Sequence, residues 1–535
     1  MTSRRSPSSE QATDKPPPSG LARAALSVGG ATLISRITGF IRDLIIAAFL
    51  GAGAYADIFV VAFRLPNLFR RLFAEGAFSA AFIPLYARVK NKEGDHAARD
   101  FASDIFSVLF FALLIFTALA QIFMPYFVMA IAQGFTDNPE KFDLTVYYTR
   151  IAFPYLLFMS LLAFYAAMLN AQRKFFAAAF APVLLNVVLI GALLASHYIA
   201  STAADEIRTL DYLIWGVPIA GGVQLIWVVI AAYQNGLTIE LRWPRLSPKI
   251  RRVWALSIPG ILASGIGQIN LLIGTSIATA QAGAASWLYY ADRLYQLPMG
   301  VIGVALGVAL LPDLARRLSS EDLSGAQDAQ NSAIIMAMLF TIPAAVGLFV
   351  LAEPTVQILF ERGAFTPSDR VATAVALQAF CFGLPVFVLI KTLQPAFFAR
   401  EDTRSPMIDG AWGVALNISL SLALFPIYGH VAIAIATSLA GWLTLILMSV
   451  RMYQRGYWQV NVNLIWRLCA QCLASLGMAL AIWGVLIWLP APSSSWLFIV
   501  WYIGVCGGGA ILFAGLLFAL RGASRSDLAR LRRGA

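Results

Sequence analysis

The sequence predicts an all-α polytopic membrane protein with fourteen transmembrane helices, set as two six-helix pseudo-symmetric lobes plus two extra C-terminal helices. Three observations predict it. Of 535 residues, 59% are hydrophobic and only 13% charged, with a mean hydropathy of +0.74, a composition foreign to soluble globular domains. The apolar residues fall into many separate runs of about twenty, the length of a bilayer-crossing helix and too continuous for barrel strands. The chain also repeats itself, in order, at a nearly constant offset.

Residues 1–20, with Ser, Pro and both charge signs, read as a disordered cytoplasmic tail. The apolar segment that follows is long and charged and lacks a small-residue cleavage site, so it does not read as a cleavable leader. Spans are expected at 24–53, 56–87, 101–132, 145–170, 177–199, 211–234, 252–281 and 286–315. The remaining six are 329–352, 371–398, 405–426, 430–454, 463–489 and 496–520. Alternate connections hold the basic residues, among them Arg88, Lys90 and Lys92, then Arg173 and Lys174, then Arg242, Arg245, Arg251 and Arg252. Arg316 and Arg317, Arg400 and Arg404, Arg451 and Arg455, and the arginines after Leu520 continue the series. Short basic loops stay in the cytoplasm, which puts both termini there. The net charge of +11 is thus a topology signal and not a nucleic-acid one.

The repeat has several ordered matches. Ser27-Val-Gly-Gly30 returns 230 residues later as Ser257-Ile-Pro-Gly260, and Pro84-Leu-Tyr-Ala-Arg88 returns as Pro312-Asp-Leu-Ala-Arg316. Pro154, Arg173 and Leu185-Asn186 match Pro385, Arg404 and Leu416-Asn417 at 231, and Tyr233-Gln-Asn-Gly236 echoes Tyr453-Gln-Arg-Gly456. The organisation read from this is an N-lobe at 21–251, a C-lobe at 252–456, and 457–535 holding the last two spans and a C-terminal cytoplasmic tail. Six helices per unit keep both copies in one orientation, a parallel repeat of the kind that places a transporter's substrate between its halves.

The first span carries Ser35-Arg-Ile-Thr-Gly-Phe-Ile-Arg-Asp43, although each charge costs roughly 2.5–3.5 kcal/mol at a bilayer centre. At about 100° per residue, Ser35, Arg36, Gly39, Arg42 and Asp43 share an arc of roughly 120°, with the large apolar residues outside it. One reading is a structural Arg–Asp pair; the other is the cationic wall of an aqueous anion site. The second span adds Asp57, Arg64, Asn67, Arg70, Arg71 and Glu75, with Pro66 expected to bend or break the helix. Asp292, Arg293 and Lys391 follow in the second half. Pairing of Asp292 with Arg293, and of Glu75 with Arg71, is weighed evenly against solvation. The cations still outnumber the acids, and the guanidinium's planar fork suits phosphate oxygens.

Little points to chemistry. Three histidines are scattered, no P-loop is present, and Cys469-Ala-Gln-Cys472 lacks a second ligand pair, so neither enzyme activity nor a cofactor is expected. Gly300-Val-Ile-Gly-Val-Ala-Leu-Gly307 reads as helix packing. Asp409 and Asn417 are weighed as a cation site, with packing preferred.

Ser35-Arg-Ile-Thr-Gly-Phe-Ile-Arg-Asp43, Phe63-Arg-Leu-Pro-Asn-Leu-Phe-Arg-Arg-Leu-Phe-Ala-Glu-Gly-Ala-Phe78 and Tyr290-Ala-Asp-Arg-Leu294 strongly resemble the MurJ (MviN) family of lipid II flippases. That family belongs to the multidrug/oligosaccharidyl-lipid/polysaccharide exporter superfamily. The resemblance runs from about Leu21 to the last span. It implies two lobes in a V around a cavity and two further helices forming a groove for a lipid tail. It also implies a substrate, undecaprenyl-pyrophosphate-linked GlcNAc–MurNAc-pentapeptide, moved from the cytoplasmic to the periplasmic leaflet of a bacterial inner membrane. Arg36, Arg42, Arg70 and Arg293 are implied to meet the pyrophosphate and headgroup. Asp57 and Asn67 match functional positions, and Ser35, Arg64, Asp43 and Glu75, in the same motifs, complete the candidate binding set. Partners beyond lipid II and membrane lipid are expected among the cell-wall synthesis machinery. The rivals are a flippase for another polyprenyl-linked oligosaccharide, a drug or metabolite antiporter of the same superfamily, and a membrane enzyme of polyprenyl phosphates. Energy coupling, by membrane potential, sodium or proton, is left open.

Overall fold

The computed structural model describes residues 19–73, 77–199, 206–245, 247–489, 491–492 and 494–522. Among them there is no strand. A backbone in lipid has no water to bond, so an open chain satisfies its amides and carbonyls only as helix. The first half contains α1 (Ser19–Leu50), α2 (Ala54–Phe73), α3 (Ala77–Ile122), α4 (Met124–Ile131), a 3-10 turn (Gln133–Asp137), α5 (Pro139–Ala152), α6 (Tyr155–Ala171), α7 (Phe176–Ile199) and α8 (Glu206–Gln234). The second contains α9 (Pro248–Ala278), α10 (Ala284–Ser319), α11 (Leu323–Val350), α12 (Ala352–Phe360), α13 (Pro367–Phe398), α14 (Arg404–Tyr428) and α15 (His430–Gln454). Two more follow, α16 (Val462–Trp488) and α17 (Ser495–Ala519).

Local chemistry sets the ends. The Asn138 side chain accepts from Lys141 N at 3.1 Å and caps α5, Asn461 caps α16, and Thr366 with Asp369 forms a capping box on α13. Among the described residues, ten helices are long and apolar enough to cross a membrane by length and composition. α1 and α2 fall outside that group because Arg36, Arg42 and Asp43, and Asp57, Arg64, Arg70 and Arg71, interrupt their apolar runs.

The elements also differ in number from the fourteen expected, since seventeen α-helices and one 3-10 turn form among the described residues. Pro154 divides the 145–170 segment into α5 and α6, because a proline has no amide hydrogen to continue the ladder. α4, the 3-10 turn and α12 are short pieces at connections. The basic stretch at 88–99 is helical: α3 runs through it with a kink at Gly94 (φ 88, ψ 177), a conformation open to glycine. α2 continues through Pro66 as far as Phe73.

Packing between helices follows the sequence repeat. α1 packs on α7 as α9 packs on α14; α7 on α8 as α14 on α15; α6 on α8 as α13 on α15; α2 on α6 as α10 on α13. α16 lies against α11 and α17. The space between the two sets of helices holds a polar cavity.

Candidate functional site

A cavity of about 510 Å³ lies between α1, α2 and α7 on one side and α9, α10, α13, α14 and α15 on the other. Arg42, Arg64, Arg70 and Arg293 line it, with Asn67, Gln268, Asn270, Tyr289, Asp292 and Gln296. Five of the sequence-predicted residues, four arginines and Asn67, thus converge from three helices that the sequence separates by up to about 250 positions.

Asp43 is the centre of one wall. It is 2% exposed and accepts from Arg42 Nε at 3.0 Å, from an Arg42 terminal nitrogen at 2.7 Å and from the Tyr289 hydroxyl at 2.9 Å. Arg293 of α10 reaches its other oxygen at 3.1 Å and lies over the Tyr289 ring. One carboxylate therefore ties two guanidinium groups from opposite halves, and Asp292, expected beside Arg293, instead accepts from Gln296. A structural Arg–Asp pair thus exists, and it borders a cavity whose described lining carries more arginines than acids.

Arg42 is aimed by Asn186 of α7, whose carbonyl oxygen accepts from it at 2.9 Å while the amide donates to Ser35 O at 2.9 Å and Thr38 Oγ1 at 3.1 Å. Ser35 thus enters through its backbone. The repeat-related Asn417 of α14 donates to Asn270 Oδ1 at 2.8 Å. Sequence reasoning used Asn186 only as a repeat marker. The signal for its role was an amide in an otherwise apolar span opposite a buried arginine.

The other predicted residues sort by place. Arg64 donates to Thr275, and Arg70 Nε donates to Asn67 Oδ1 at 3.2 Å. Asn67 Nδ2 in turn donates to Phe63 O at 3.0 Å beside Pro66. Arg36 is outside the cavity lining. Its guanidinium rests on Gly300 of α10, where a β-carbon would overlap it, and it is close enough to Lys391 of α13 to act on it electrostatically. Glu75 lies outside the described residues, as does the Arg71 side chain. Asp409 is fully buried and paired with Arg451 at 2.6 Å, away from Asn417 and its Asn270 partner.

Asp57 is elsewhere, at the end of the molecule remote from the basic connections. It is fully buried, and its oxygens accept from Lys141 Nζ (2.9 Å), Gly283 N (2.9 Å), Ser286 N (3.1 Å) and Ser286 Oγ (2.8 Å). An acid at the first turn of α10 complements that helix's dipole. Around it Ala364 N donates to Ala48 O at 2.8 Å, and the Tyr290 hydroxyl donates to Gly51 O at 2.9 Å. Gly51 (φ 63) and Gly363 (φ 61) allow this approach: a β-carbon on either would strike the opposing backbone. These contacts join the halves at that end of the molecule.

The description "Lipid II flippase MurJ" belongs to the family model that matches residues 46–504 of this chain. The chain belongs to the MurJ family. A probable lipid II flippase MurJ of Rhizobium tropici is 46% identical over 472 residues, covering 88% of this chain and 87% of that protein. One from Rhizobium meliloti (strain 1021) is 44% identical over 521 residues, covering 96% and 97%. A solved structure of lipid II flippase MurJ in an inward closed conformation has a TM-score of 0.77 at 23% identity, over 92% of this chain and 98% of that one. An inward-facing MATE-family multidrug transporter shares the fold at a TM-score of 0.62 and 15% identity, over 81% and 98%. A second cavity, of about 530 Å³, is lined almost wholly by apolar side chains of α11, α16 and α17, among them Phe340, Met478, Ile482, Phe513 and Leu517. Among the described residues no group of His, Cys, Asp and Glu is arranged to hold a metal ion.

Proposed function

We propose that this chain is a lipid II flippase of a bacterial inner membrane, carrying undecaprenyl-pyrophosphate-linked disaccharide-pentapeptide from the cytoplasmic to the periplasmic leaflet without changing a covalent bond. The observation that carries the reading is the guanidinium-rich cavity between two similarly packed sets of helices, in a chain up to 46% identical to proteins named for that activity. Fourteen crossings are proposed, six in each lobe (21–251 and 252–456) and two in 457–535, with both termini cytoplasmic. The basic connections then face the cytoplasm, and the Asp57 seal faces the periplasm.

On this reading the cavity admits its substrate from the cytoplasmic side. Arg64, Arg70, Arg293 and Arg42 meet the diphosphate and the first sugar, with Asn67 beside them, and Arg36 with Lys391 supplies a second cationic step. Ser35, through its carbonyl, and Asp43 hold the arginines in position, while Asp57 controls the far gate. The polyprenyl chain stays in lipid against the apolar cavity of α11, α16 and α17. Breaking the seal and closing the opposite end delivers the headgroup outward. Binding partners among cell-wall enzymes take the product.

Depletion of the protein is expected to lower lipid II exposure on the periplasmic face and raise precursor inside, with rescue by wild type and not by Arg36→Ala. Unchanged exposure on depletion, with redundant flippases removed, assigns the cavity another polyprenyl-linked oligosaccharide or a small molecule.

A further inference from the structure

The two halves differ at one corner in a way the central cavity does not explain. α6 ends in a turn where Arg173 has φ 61 and Lys174 N bonds back to Leu169 O at 2.9 Å. α13 ends in the same turn, with Glu401 at φ 60 and Asp402 N bonding back to Phe397 O at 3.0 Å. The next helix pair closes each corner alike: α8 ends at Gly236 (φ 73) and Leu237, α15 at Gly456 (φ 67) and Tyr457. By turn geometry Arg173 therefore matches Glu401 and not Arg404, the counterpart the constant sequence offset suggests; Lys174 matches Asp402, Asn235 matches Arg455 and Leu237 matches Tyr457.

The second corner is complete in itself. Asp402 pairs with Arg455 and accepts from Ser405 N at 3.0 Å, and Arg400 lies over the Tyr457 ring, 4.3 Å from its centroid. In the first corner the acids are replaced by bases and the base by a neutral amide. Among the described residues neither Arg173 nor Lys174 makes an ion pair or a side-chain hydrogen bond. A cavity of about 390 Å³ remains there, lined by Arg173, Lys174, Trp227, Ile230 and Asn235. Trp227 is fixed by a 3.1 Å bond from its ring nitrogen to Ala177 O and packs on Phe180, which stacks on Phe176. The first turn of α7, which opens on this cavity, has no acidic residue, so its dipole adds to the positive field.

We infer that this corner is a binding site for a resident anionic phospholipid, whose phosphodiester sits between Arg173 and Lys174 and whose glycerol and upper acyl chain lie on the Trp227–Phe180–Phe176 ledge. Two cations above an aromatic shelf at the end of a bundle of membrane-length helices match a lipid headgroup in depth and charge. The inference rests on the membrane-spanning reading and not on what the central cavity carries.

The test uses full-length protein in mild detergent, titrated with phosphatidylglycerol, phosphatidylcholine or undecaprenyl diphosphate and weighed intact by native mass spectrometry. Wild type is expected to retain phosphatidylglycerol over phosphatidylcholine. R173Q/K174Q should retain it about thirtyfold less tightly, a factor of roughly five per basic side chain. N235D keeps both cations but sets a carboxylate beside them, the charge-reversed counterpart of the second corner's Asp402–Arg455 pair, and it should also release the lipid. Equal retention of the two lipids by wild type, or unaltered phosphatidylglycerol binding by both folded variants, overturns the site. Retention of undecaprenyl diphosphate alone also overturns it and makes the corner a docking station for transport substrate.

Discussion

At the residue scale the site depends on how few acids must hold how many cations. Asp43 serves Arg42 and Arg293 together, while Arg64 and Arg70 line the same cavity and Arg36 lies beside Lys391; on the proposed function these are the groups that meet the ligand's negative charge. Arg36→Ala and Arg293→Ala are therefore expected to stop headgroup transport while the protein still inserts and elutes as a folded species; normal transport by both would sink the assignment. Asn186 acts through Arg42, so Asn186→Leu should weaken transport about tenfold, the scale of one hydrogen bond to a charged group. The matching Asn417→Leu, whose partner is the neutral Asn270, should weaken it less. Equal losses in a side-by-side transport assay would place the arginine's orientation elsewhere. The charges themselves were legible in the sequence, because an arginine inside an apolar run has few innocent explanations. Their partners were not: the Arg293–Asp43 contact joins residues 250 positions apart, and its neighbour in sequence, Asp292, was the plausible but unused acid.

At the element scale the helices follow from apolar length, and their interruptions follow from proline and glycine. Pro154 ended a helix where the next one could start on it, whereas Pro66 did not, and the Asn67 side chain bonds Phe63 O beside it. A proline's missing donor is legible in sequence; whether a neighbour compensates is a property of the packed site. Gly94 likewise gave no warning that the basic stretch at 88–99 would stay helical on both sides of it. Asp57 is the clearest element-scale lesson. It was grouped with the binding residues by motif, yet it binds α2 to α5 and to the start of α10. Asp57→Ala strips the counter-ion from Lys141 and leaves three further donors, Gly283 N, Ser286 N and Ser286 Oγ, without their acceptor, a loss on the order of 3–5 kcal/mol for a broken buried pair. Thermal unfolding of the purified variant should register it, and a wild-type midpoint would contradict the latch.

At the scale of the whole molecule the duplication explains the architecture. Similar helix pairings recur in both halves, and the seal at one end draws on both: Ala48 and Gly51 from the first, Tyr290, Gly363 and Ala364 from the second. The repeat was visible in ordered matches such as Leu185-Asn186 and Leu416-Asn417; the seal was not, because it is made of backbone atoms and glycines that carry no chemical signature. On the proposed alternating-access mechanism, transport requires the seal to part. In a variant otherwise free of cysteine, an Ala48→Cys/Ala364→Cys pair should cross-link on oxidation, stop transport, and recover it on reduction; transport unaffected by complete cross-linking would mean the halves never separate there. The most direct measurement is translocation of fluorescent lipid II in sealed proteoliposomes holding wild type, Arg36→Ala or the cross-linked pair. The account predicts headgroup transfer by wild type alone, restored to the cross-linked protein by reductant. Transfer by Arg36→Ala at the wild-type rate, or none by wild type under any imposed potential or ion gradient, would contradict a cationic cavity that carries lipid II.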